Sequence, residues 1–231
     1  MLRAWDDLPI WMKCPEVKAY YDILAKRKFS LKLKRIFDMA VAFVLLIILA
    51  IPMMIIAIMI KLDTSGPVFF RQERVTSYGK KFKIHKFRTM VNNADKIGSS
   101  VTVDGDNRIT RVGNKLRNLR LDELPQLFDV LSGNMSFVGT RPECTKYVKC
   151  YTEEMRATLL LPAGITSEAS IRYKDEAKLL ENVNDVDKVY VEKVLPEKMK
   201  YNLKSIREFC FFKDVVTMFR TVLAVFGKSY L

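Results

Sequence analysis

Residues 39–60 read MAVAFVLLIILAIPMMIIAIMI, an uncharged apolar stretch interrupted by Pro52. Its length matches a membrane-spanning helix, which needs about 20 apolar residues. Basic residues crowd both ends, and Lys and Arg near a membrane segment favour the cytoplasmic side. A straight helix cannot place both of its ends on that one side. The basic residues are Lys26, Arg27, Lys28, Lys32, Lys34 and Arg35 before the stretch, and Lys61, Arg71, Arg74, Lys80 and Lys81 after it.

Pro52 offers a second arrangement, because a proline inside a helix removes one N–H and clashes with the carbonyl one turn earlier. A kink at Pro52 would divide the stretch into arms of about thirteen and eight residues, which could enter a bilayer and return to the same face. The freed backbone groups would still need partners, since an unsatisfied group in hydrocarbon costs several kcal/mol. From these residues alone three structures stay open: a re-entrant helix pair, a single-pass anchor and a buried core helix.

The charge balance points to a polyanionic neighbour. Of 231 residues, 39 are Lys or Arg and 26 are Asp or Glu, which gives a formal net charge of +13. Nucleic acid, anionic lipid or a phosphorylated substrate would each suit such an excess. We expect an anionic bilayer and no nucleic acid, because the apolar stretch is present and a nucleic-acid-binding motif is not. The four cysteines lack metal-ligand spacing, and we expect free thiols.

The rest of the chain divides into short elements. Residues 17–33 interleave apolar and basic side chains, which predicts an amphipathic helix in a membrane interface. An apolar run over 68–70 leads to Arg71 and Arg74, and with the run over 82–87 it predicts a β-hairpin that presents cations. The other expected elements are a mobile loop over 92–106, a basic helix over 111–119, a helix over 125–131 closed by Gly133, a short apolar turn over 136–139, and an aromatic C-terminal helix that packs on the apolar stretch or lies at the headgroups.

Asp122 and Glu123 stand side by side, with Arg117 upstream and Arg141 downstream. Pro125 fits the first turn of a helix capped by Asp122, whose N-terminus would direct free N–H groups at an anion. The sequence therefore predicts that cations, backbone donors and two carboxylates meet in one small volume. Carboxylates beside a bound phosphate usually require a divalent cation, and Mg²⁺ accepts one or two carboxylates plus substrate phosphates.

Spacing alone leaves the role of this pair open. A carboxylate could attack phosphorus, which divides one difficult step into two easier ones. It could instead hold a metal that stabilises charge on a leaving oxygen. The pair could also be a helix cap beside a solvated acid. Lys86 and Arg88 are equally ambiguous, since each could bind phosphate or face lipid headgroups.

Five motifs occur in order, and together they resemble the bacterial sugar transferase family, specifically its small monotopic phosphoglycosyl transferases. The resemblance covers roughly residues 33–164. The motifs are KRIFD (34–38), VFFRQER (68–74), FKIHKFRTM (82–90), LDELPQL (121–127) and GTRP (139–142).

The resemblance implies transfer of a sugar phosphate from a UDP-sugar to undecaprenyl phosphate with release of UMP, the first membrane step of bacterial surface-glycan biosynthesis. It also implies a covalent phosphosugar intermediate and a requirement for Mg²⁺. By motif position, Asp122 is the nucleophile, and Asp122 and Glu123 hold the metal. The expected phosphate and nucleotide contacts are Lys86, Arg88, Arg117, Arg141 and Pro142.

The same resemblance implies a re-entrant helix–break–helix bent at Pro52, where Ile51 replaces the serine usual in the family. We expect a mainly α-helical protein with a short β-hairpin and interfacial helices around a small catalytic domain. Its parts would be a basic amphipathic segment (1–33), the re-entrant membrane helix (34–61) and a catalytic domain with a C-terminal interfacial helix (62–231). We expect the bacterial inner membrane, with this domain on the cytoplasmic face. A non-catalytic, membrane-anchored basic scaffold and a phosphotransferase for a different nucleotide sugar stay open as alternatives.

Overall fold

The computed structural model describes residues 2–94, 106–173 and 185–225, and this part of the chain is mostly helical with two small sheets. The helices are α1 (Pro15–Ala25), α2 (Lys28–Ile48), α3 (Ala50–Asp63), α4 (Arg111–Asn118), α5 (Gln126–Ser132), α6 (Thr145–Val148), α7 (Glu168–Arg172), α8 (Val186–Val189), α9 (Leu195–Arg207) and α10 (Phe211–Val225). The strands are β1 (Phe69–Val75), β2 (Lys81–Phe87), β3 (Met135–Val138) and β4 (Ala163–Thr166). The mainly α-helical class and the hairpin are as predicted.

The apolar stretch forms α2 and α3, which are bent by 62° across a break at Leu49. Pro52 follows the break and lacks the N–H that the Ile48 carbonyl would otherwise accept, which explains why the helix bends here. Bonding continues on either side, because the N–H of Leu49 reaches the Leu45 carbonyl and the N–H of Met53 reaches the Leu49 carbonyl, both at 2.8 Å. Among the described residues no single helix is long and apolar enough to cross a membrane, whereas this bent pair qualifies when its two helices are taken together.

Large apolar side chains cover the outer face of the bent pair and one face of α10. Ile47 is 63% exposed and Phe219 is 68% exposed. α10 also packs on α2, where the ring of Phe211 meets the ring of Phe37 edge-on at 5.4 Å. The other exposed side chains include Phe43, Ile48, Ile51, Met54, Ile58 and Leu62 on the pair, and Phe212, Val216 and Val222 on α10. A contiguous apolar surface of this kind marks a membrane or partner interface.

The single amphipathic helix predicted over residues 17–33 is wrong in extent and in what covers its apolar face. α1 ends at Ala25 and α2 begins at Lys28, so the predicted helix is two helices. The apolar face of α1 is buried against the rest of the protein, since an alternation of apolar and basic residues suits a protein core as well as a lipid surface. Its buried side chains are Val17, Tyr20, Tyr21 and Leu24.

The sequence predicts one of the two sheets and misses the other. β1 and β2 form the predicted antiparallel hairpin, from Phe69 opposite Phe87 to Val75 opposite Lys81. The apolar turn expected over 136–139 is wrong, because most of it belongs to β3, which pairs in parallel with β4. Gly139, directly after β3, approaches Gly164 of β4 closely, and a Cβ on Gly164 would lie 2.2 Å from the Gly139 nitrogen. This contact fixes where the GTRP segment leaves β3.

The KRIFD motif ties α2 to three other elements. Lys34 is buried and pairs with Asp214 of α10 at 2.7 Å. Arg35 donates to the carbonyls of Val130 and Leu131 at the end of α5, at 2.6 and 3.0 Å. The third tie is a buried hydrogen bond from the Ser136 hydroxyl on β3 to the Asp38 carboxylate, at 2.7 Å. The motif therefore holds the bent pair against α5, β3 and α10.

α4 and α5 form close to the predicted positions, and α5 ends at Gly133, whose φ of 84° is left-handed as expected for such a closing glycine. The expectation that Asp122 caps this helix is wrong. Asp122 lies in a separate 3₁₀ turn, Leu121–Glu123, and α5 begins after Pro125 without a side-chain cap. Of the loop predicted over 92–106, residues 95–105 lie outside the described residues.

Candidate active site

Asp122 and Glu123 occupy a sharp turn between α4 and α5. Arg120 enters the turn with a left-handed φ of 56°, and Leu121–Glu123 then forms one 3₁₀ turn. Both acids are buried, at 8% and 9% exposed. The backbone N–H groups of Glu123 and Leu124 bond to the carbonyls of Arg120 and Leu121. The turn therefore presents its carboxylates, and these two backbone donors are already used.

Glu123 is held by two cations from other elements. Lys86 of β2 donates from Nζ to Oε1 at 2.9 Å, and Arg141 donates from Nη1 to Oε2 at 3.2 Å and from Nη2 to Oε1. Burial by itself would raise the pKa of the Glu123 carboxyl, but Arg141 and Lys86 together hold that pKa well below its usual range. Glu123 is therefore ionised at neutral pH, and both of its oxygens are engaged.

The two cations are themselves desolvated by the fold. Burial lowers the pKa of the Lys86 ammonium, and the neighbouring charge of Glu123 opposes that shift. The charge of Glu123 raises the pKa of the Arg141 guanidinium, which also donates to the Ile165 carbonyl at 3.4 Å. β2 supplies Lys86, and the segment between β3 and β4 supplies Arg141. The site is thus assembled from parts of the chain that are far apart in sequence.

Asp122 differs from its neighbour. In the described part of the chain its carboxylate accepts no hydrogen bond and forms no ion pair within 4 Å, which makes it the open acid of the two. Burial raises the pKa of the Asp122 carboxyl, Lys86 opposes that rise and the charge of Glu123 adds to it. Arg117 is also nearby in electrostatic terms, since burial lowers the pKa of its guanidinium while Asp122 raises it. The pair therefore combines a restrained carboxylate with an available one.

Arg88 lies elsewhere, although its motif also carries Lys86. Its guanidinium is 5% exposed and donates to the carbonyls of Thr64 and Ser65, at 2.7 and 2.6 Å, and to the Thr64 hydroxyl at 3.0 Å. These groups follow the end of α3, so Arg88 satisfies that helix end. The structure gives no support to the phosphate contact predicted for Arg88. It does bring Lys86 and Arg141 together with Asp122 and Glu123.

Pro142 is buried directly after Arg141, and its carbonyl accepts from Arg74 at 3.3 Å. Behind it lies a network that the sequence did not reveal. The Tyr190 hydroxyl donates to Glu143 at 2.5 Å, and Lys198 donates to the same hydroxyl at 3.1 Å. All three side chains are buried. No local pattern could have connected them, because Tyr190 and Lys198 lie about fifty residues further along the chain.

The sequence also left the lone histidine unassigned. His85 donates its backbone N–H to Asp129 Oδ2 at 2.8 Å, and its ring Nδ1 contacts Oδ1 of the same carboxylate at 2.8 Å. Asp129 belongs to α5 and is buried. These contacts join β2 to α5 beside Lys86 and Glu123. His85 therefore has a structural partner and lies outside the carboxylate–cation cluster.

The fit of Mg²⁺ to this cluster rests on Asp122. Within the described residues its carboxylate has no competing partner, whereas both oxygens of Glu123 accept from cations. Mg²⁺ commonly binds one or two carboxylates and completes its shell with waters and substrate phosphates. Among the described residues the grouping of three metal-type ligands is Cys14, Glu16 and Glu153, on the surface and apart from the acidic pair. The four cysteines are free thiols, as predicted.

Fold and site together define a class: a small helical protein with a bent apolar helix pair, whose cluster of two carboxylates and several cations is suited to phosphate groups. The chain belongs to the bacterial sugar transferase family, which it matches over residues 29–228. The resemblance seen in the motifs is thereby confirmed.

Relatives in three bacteria are similar over much of the chain. A UDP-N-acetylgalactosamine–undecaprenyl-phosphate N-acetylgalactosaminephosphotransferase of Aeromonas hydrophila is 34% identical over 201 residues, 84% of this chain and 44% of the relative. A UDP-glucose:undecaprenyl-phosphate glucose-1-phosphate transferase of Escherichia coli K12 is 35% identical, over 84% of this chain and 40% of the relative. The exopolysaccharide production protein PSS of Rhizobium leguminosarum is 41% identical, over 62% of this chain and 68% of the relative. The chain thus spans less than half the length of the first two relatives.

Proposed function

We propose that this protein transfers a sugar phosphate from a UDP-sugar to undecaprenyl phosphate through a covalent intermediate on Asp122. In the first step an Asp122 oxygen attacks the phosphorus that bears the sugar, the P–O bond to the second phosphate breaks, and UMP leaves. In the second step a phosphate oxygen of undecaprenyl phosphate attacks the same phosphorus. The bond to Asp122 then breaks, and undecaprenyl-diphosphate-sugar is released with the carboxylate restored.

The observation that carries this proposal is the contrast between the two acids. Asp122 is buried and has no partner in the described part of the chain, so its oxygens are available to attack. Glu123 is locked between Lys86 and Arg141 and cannot attack without losing both ion pairs. Adjacent carboxyls placed in opposed environments are a frequent arrangement where one acts as nucleophile and the other organises charge. The names of the relatives supply the substrate classes.

Positioning and charge compensation would supply most of the catalysis, as in other in-line displacements at phosphorus. Lys86, Arg117 and Arg141 are the cations placed to receive the diphosphate, with Pro142 setting the backbone beside Arg141. Arg88 is left out of this set because its Nη1 and Nη2 donate to backbone carbonyls that follow α3. Asp122, with Glu123 beside it, would hold Mg²⁺ when the nucleotide sugar binds. Bound Mg²⁺ would neutralise charge that develops on the departing UMP.

We also propose that the bent pair enters the cytoplasmic face of the inner membrane and returns to it. The exposed apolar surface of α2, α3 and α10 supports this placement, because one contiguous face would then meet lipid. The basic residues at both ends of the pair would stay among anionic headgroups. The acidic pair could then receive a soluble nucleotide sugar from one side and a lipid phosphate from the other.

The direct test is a UMP-release assay with the purified protein, undecaprenyl phosphate and a panel of UDP-sugars that includes UDP-glucose and UDP-N-acetylgalactosamine. We expect UMP with one or more donors and a dependence on added Mg²⁺. A scaffold without catalytic activity would release no UMP from any donor. Release of a different nucleotide from a different donor would identify a phosphotransferase of another specificity.

The nucleophile is tested by Asp122→Asn, which keeps the shape of the side chain and removes the attacking charge. We expect UMP release to fall by at least about 10³-fold and the covalent intermediate to disappear, with membrane association retained. The control is Asp22→Asn on α1, an exposed acid paired with Lys18, which should leave activity unchanged. UMP release at the unaltered rate from Asp122→Asn would remove Asp122 as nucleophile.

A further inference from the structure

Gln126 is the most conspicuous unexplained side chain near the acidic pair. It is 1% exposed, and neither its amide nitrogen nor its amide oxygen has a hydrogen-bond partner among the residues that the structure describes. A buried amide without partners costs free energy that an apolar residue of the same shape would not. Such a group in a folded protein calls for a partner beyond the protein's own side chains, such as a bound water or a group brought close by a ligand.

The neighbours of Gln126 show which way it faces. Glu123 lies three residues before it and Asp129 three residues after it, and residues at this spacing share one face of a helical turn. Both neighbours contact β2: Glu123 bonds to Lys86 at 2.9 Å, and Asp129 bonds to His85 at 2.8 Å. Gln126 lies between these two residues in the chain, and the spacing places it on the side of α5 that faces β2.

Those ion pairs must change when a diphosphate arrives. Lys86 and Arg141 are the cations that the proposed function requires for the substrate, yet in the free site both are bound to Glu123. A diphosphate that draws them away would leave the Glu123 carboxylate buried with fewer donors, which is costly. The unpaired Gln126 nitrogen is a buried donor three residues along the chain from it.

We propose that Gln126 is a positioning residue. It replaces Lys86 and Arg141 as the hydrogen-bond donor to Glu123 when the nucleotide diphosphate binds these two cations. The amide nitrogen of Gln126 then donates to the Glu123 carboxylate, and two groups that would each be unsatisfied satisfy one another. No bond is made or broken in this exchange, and Gln126 acts on the substrate only through Glu123. This inference rests on the proposed function for the identity of the diphosphate.

The test measures the affinity for UDP by calorimetry on the full chain. It compares the unmodified protein with a variant in which Gln126 is replaced by an apolar residue of similar length. We expect Gln126→Met to weaken UDP binding by about ten- to a hundredfold, the range for one hydrogen bond to a charged group. Its unfolding temperature should be unchanged or higher, because an unpaired buried amide is lost. Asn202→Leu is the matched control: Asn202 is also buried with an unpaired amide oxygen, but it lies on α9, and UDP affinity should stay the same.

A double-mutant cycle separates this role from general packing. In a Glu123→Gln background, Gln126→Met should change UDP affinity by less than about threefold, since the partner charge is already gone. Four outcomes would overturn the proposal. The first two are unaltered UDP binding by Gln126→Met and equal losses of affinity in both backgrounds. The others are variants that fail to fold and an unmodified protein that binds no UDP. UDP binding without UMP release from any UDP-sugar would instead contradict the proposed function. The effect of Gln126→Met on UDP affinity could still be interpreted.

Discussion

Single residues give the acidic pair its two roles. Asp122 and Glu123 are adjacent, equally buried and exposed to the same cations, yet their pKa values move in opposite directions. The difference comes from direct contact. Arg141 and Lys86 contact Glu123 directly, whereas burial is the largest influence on the pKa of Asp122. One turn of chain thereby holds an ion-paired carboxylate next to a carboxylate whose pKa is raised by burial.

The raised pKa of Asp122 predicts the pH dependence of turnover. The nucleophile must be ionised, so activity should fall, as the pH drops, at a higher pH than an ordinary aspartate would give. Glu123→Gln removes a negative neighbour and frees Lys86 and Arg141 to approach Asp122. Both effects lower the pKa of Asp122, and the acid limb of kcat/KM against pH should move to lower pH, whatever the loss in absolute rate. An acid limb that stays in place or moves upward in Glu123→Gln would contradict this assignment.

Arg88 should matter for stability and not for substrate binding. Arg88→Met removes the charge-assisted hydrogen bonds to Thr64 and Ser65 at the end of α3, and we expect a loss of about 2–3 kcal/mol in the free energy of unfolding. UDP affinity per folded molecule should be unchanged. The control, Arg71→Met, removes an exposed arginine with one bond to the Lys83 carbonyl, and it should cost no more than about 0.5 kcal/mol. Denaturation in detergent measures the free energy of unfolding of both variants, and calorimetry measures their UDP affinity. A weakened UDP affinity in Arg88→Met would show that Arg88 contacts phosphate after all.

Among the elements, those set by local pattern were predictable and those set by distant contacts were not. Pro52 marks the bend, Gly133 the end of α5, and the runs before and after Tyr78 the hairpin, since each depends on neighbours in sequence. β3 and β4 were missed because four-residue strands pair across 28 residues, Met135 with Ala163, and nothing local encodes that pairing.

The same distinction holds for the site. Its acids and cations could be found by motif, because the residue types themselves carry the chemistry. Their pairing could not, since it depends on how β2 and the segment after β3 meet the turn at Asp122. Arg88 shows the limit: it stands two residues from Lys86 in the same motif, directly after the end of β2. Only the fold shows that its guanidinium lies against the end of α3.

The bend between α2 and α3 should depend on Pro52. Pro52→Ala restores an N–H for the Ile48 carbonyl and removes the ring clash, so the pair should straighten from 62°. Helices of 21 and 14 residues would then lengthen end to end by about 7 Å. Spin labels at residues 32 and 62 measure that distance in detergent. Ile51→Ala, a change at an exposed neighbour that keeps the proline, is the control. An unchanged distance in Pro52→Ala would place the cause of the bend in the contacts of the two helices.

At the scale of the whole molecule, the apolar face and the ion pairs work together. The face formed by α2, α3 and α10 is open, while the opposite side of α2 is tied to the body by Lys34, Arg35 and Asp38. The open apolar face and the geometry of the site are therefore coupled through α2. Any change that tilts α2 would also shift α5 and β3, which flank the acidic turn.

This arrangement predicts which side of the membrane each end of the bent pair occupies. In a background without the four native cysteines, we would place a single cysteine at Lys32 before the bend or at Lys61 after it. A membrane-impermeant thiol reagent should label neither position in intact cells and both after permeabilisation, because the basic flanks hold both ends on the cytoplasmic face. The unaltered chain, whose four free thiols lie outside the apolar stretch, is the control and should also label only after permeabilisation. Labelling of one end alone in intact cells would show that the pair crosses the bilayer and would overturn the re-entrant topology.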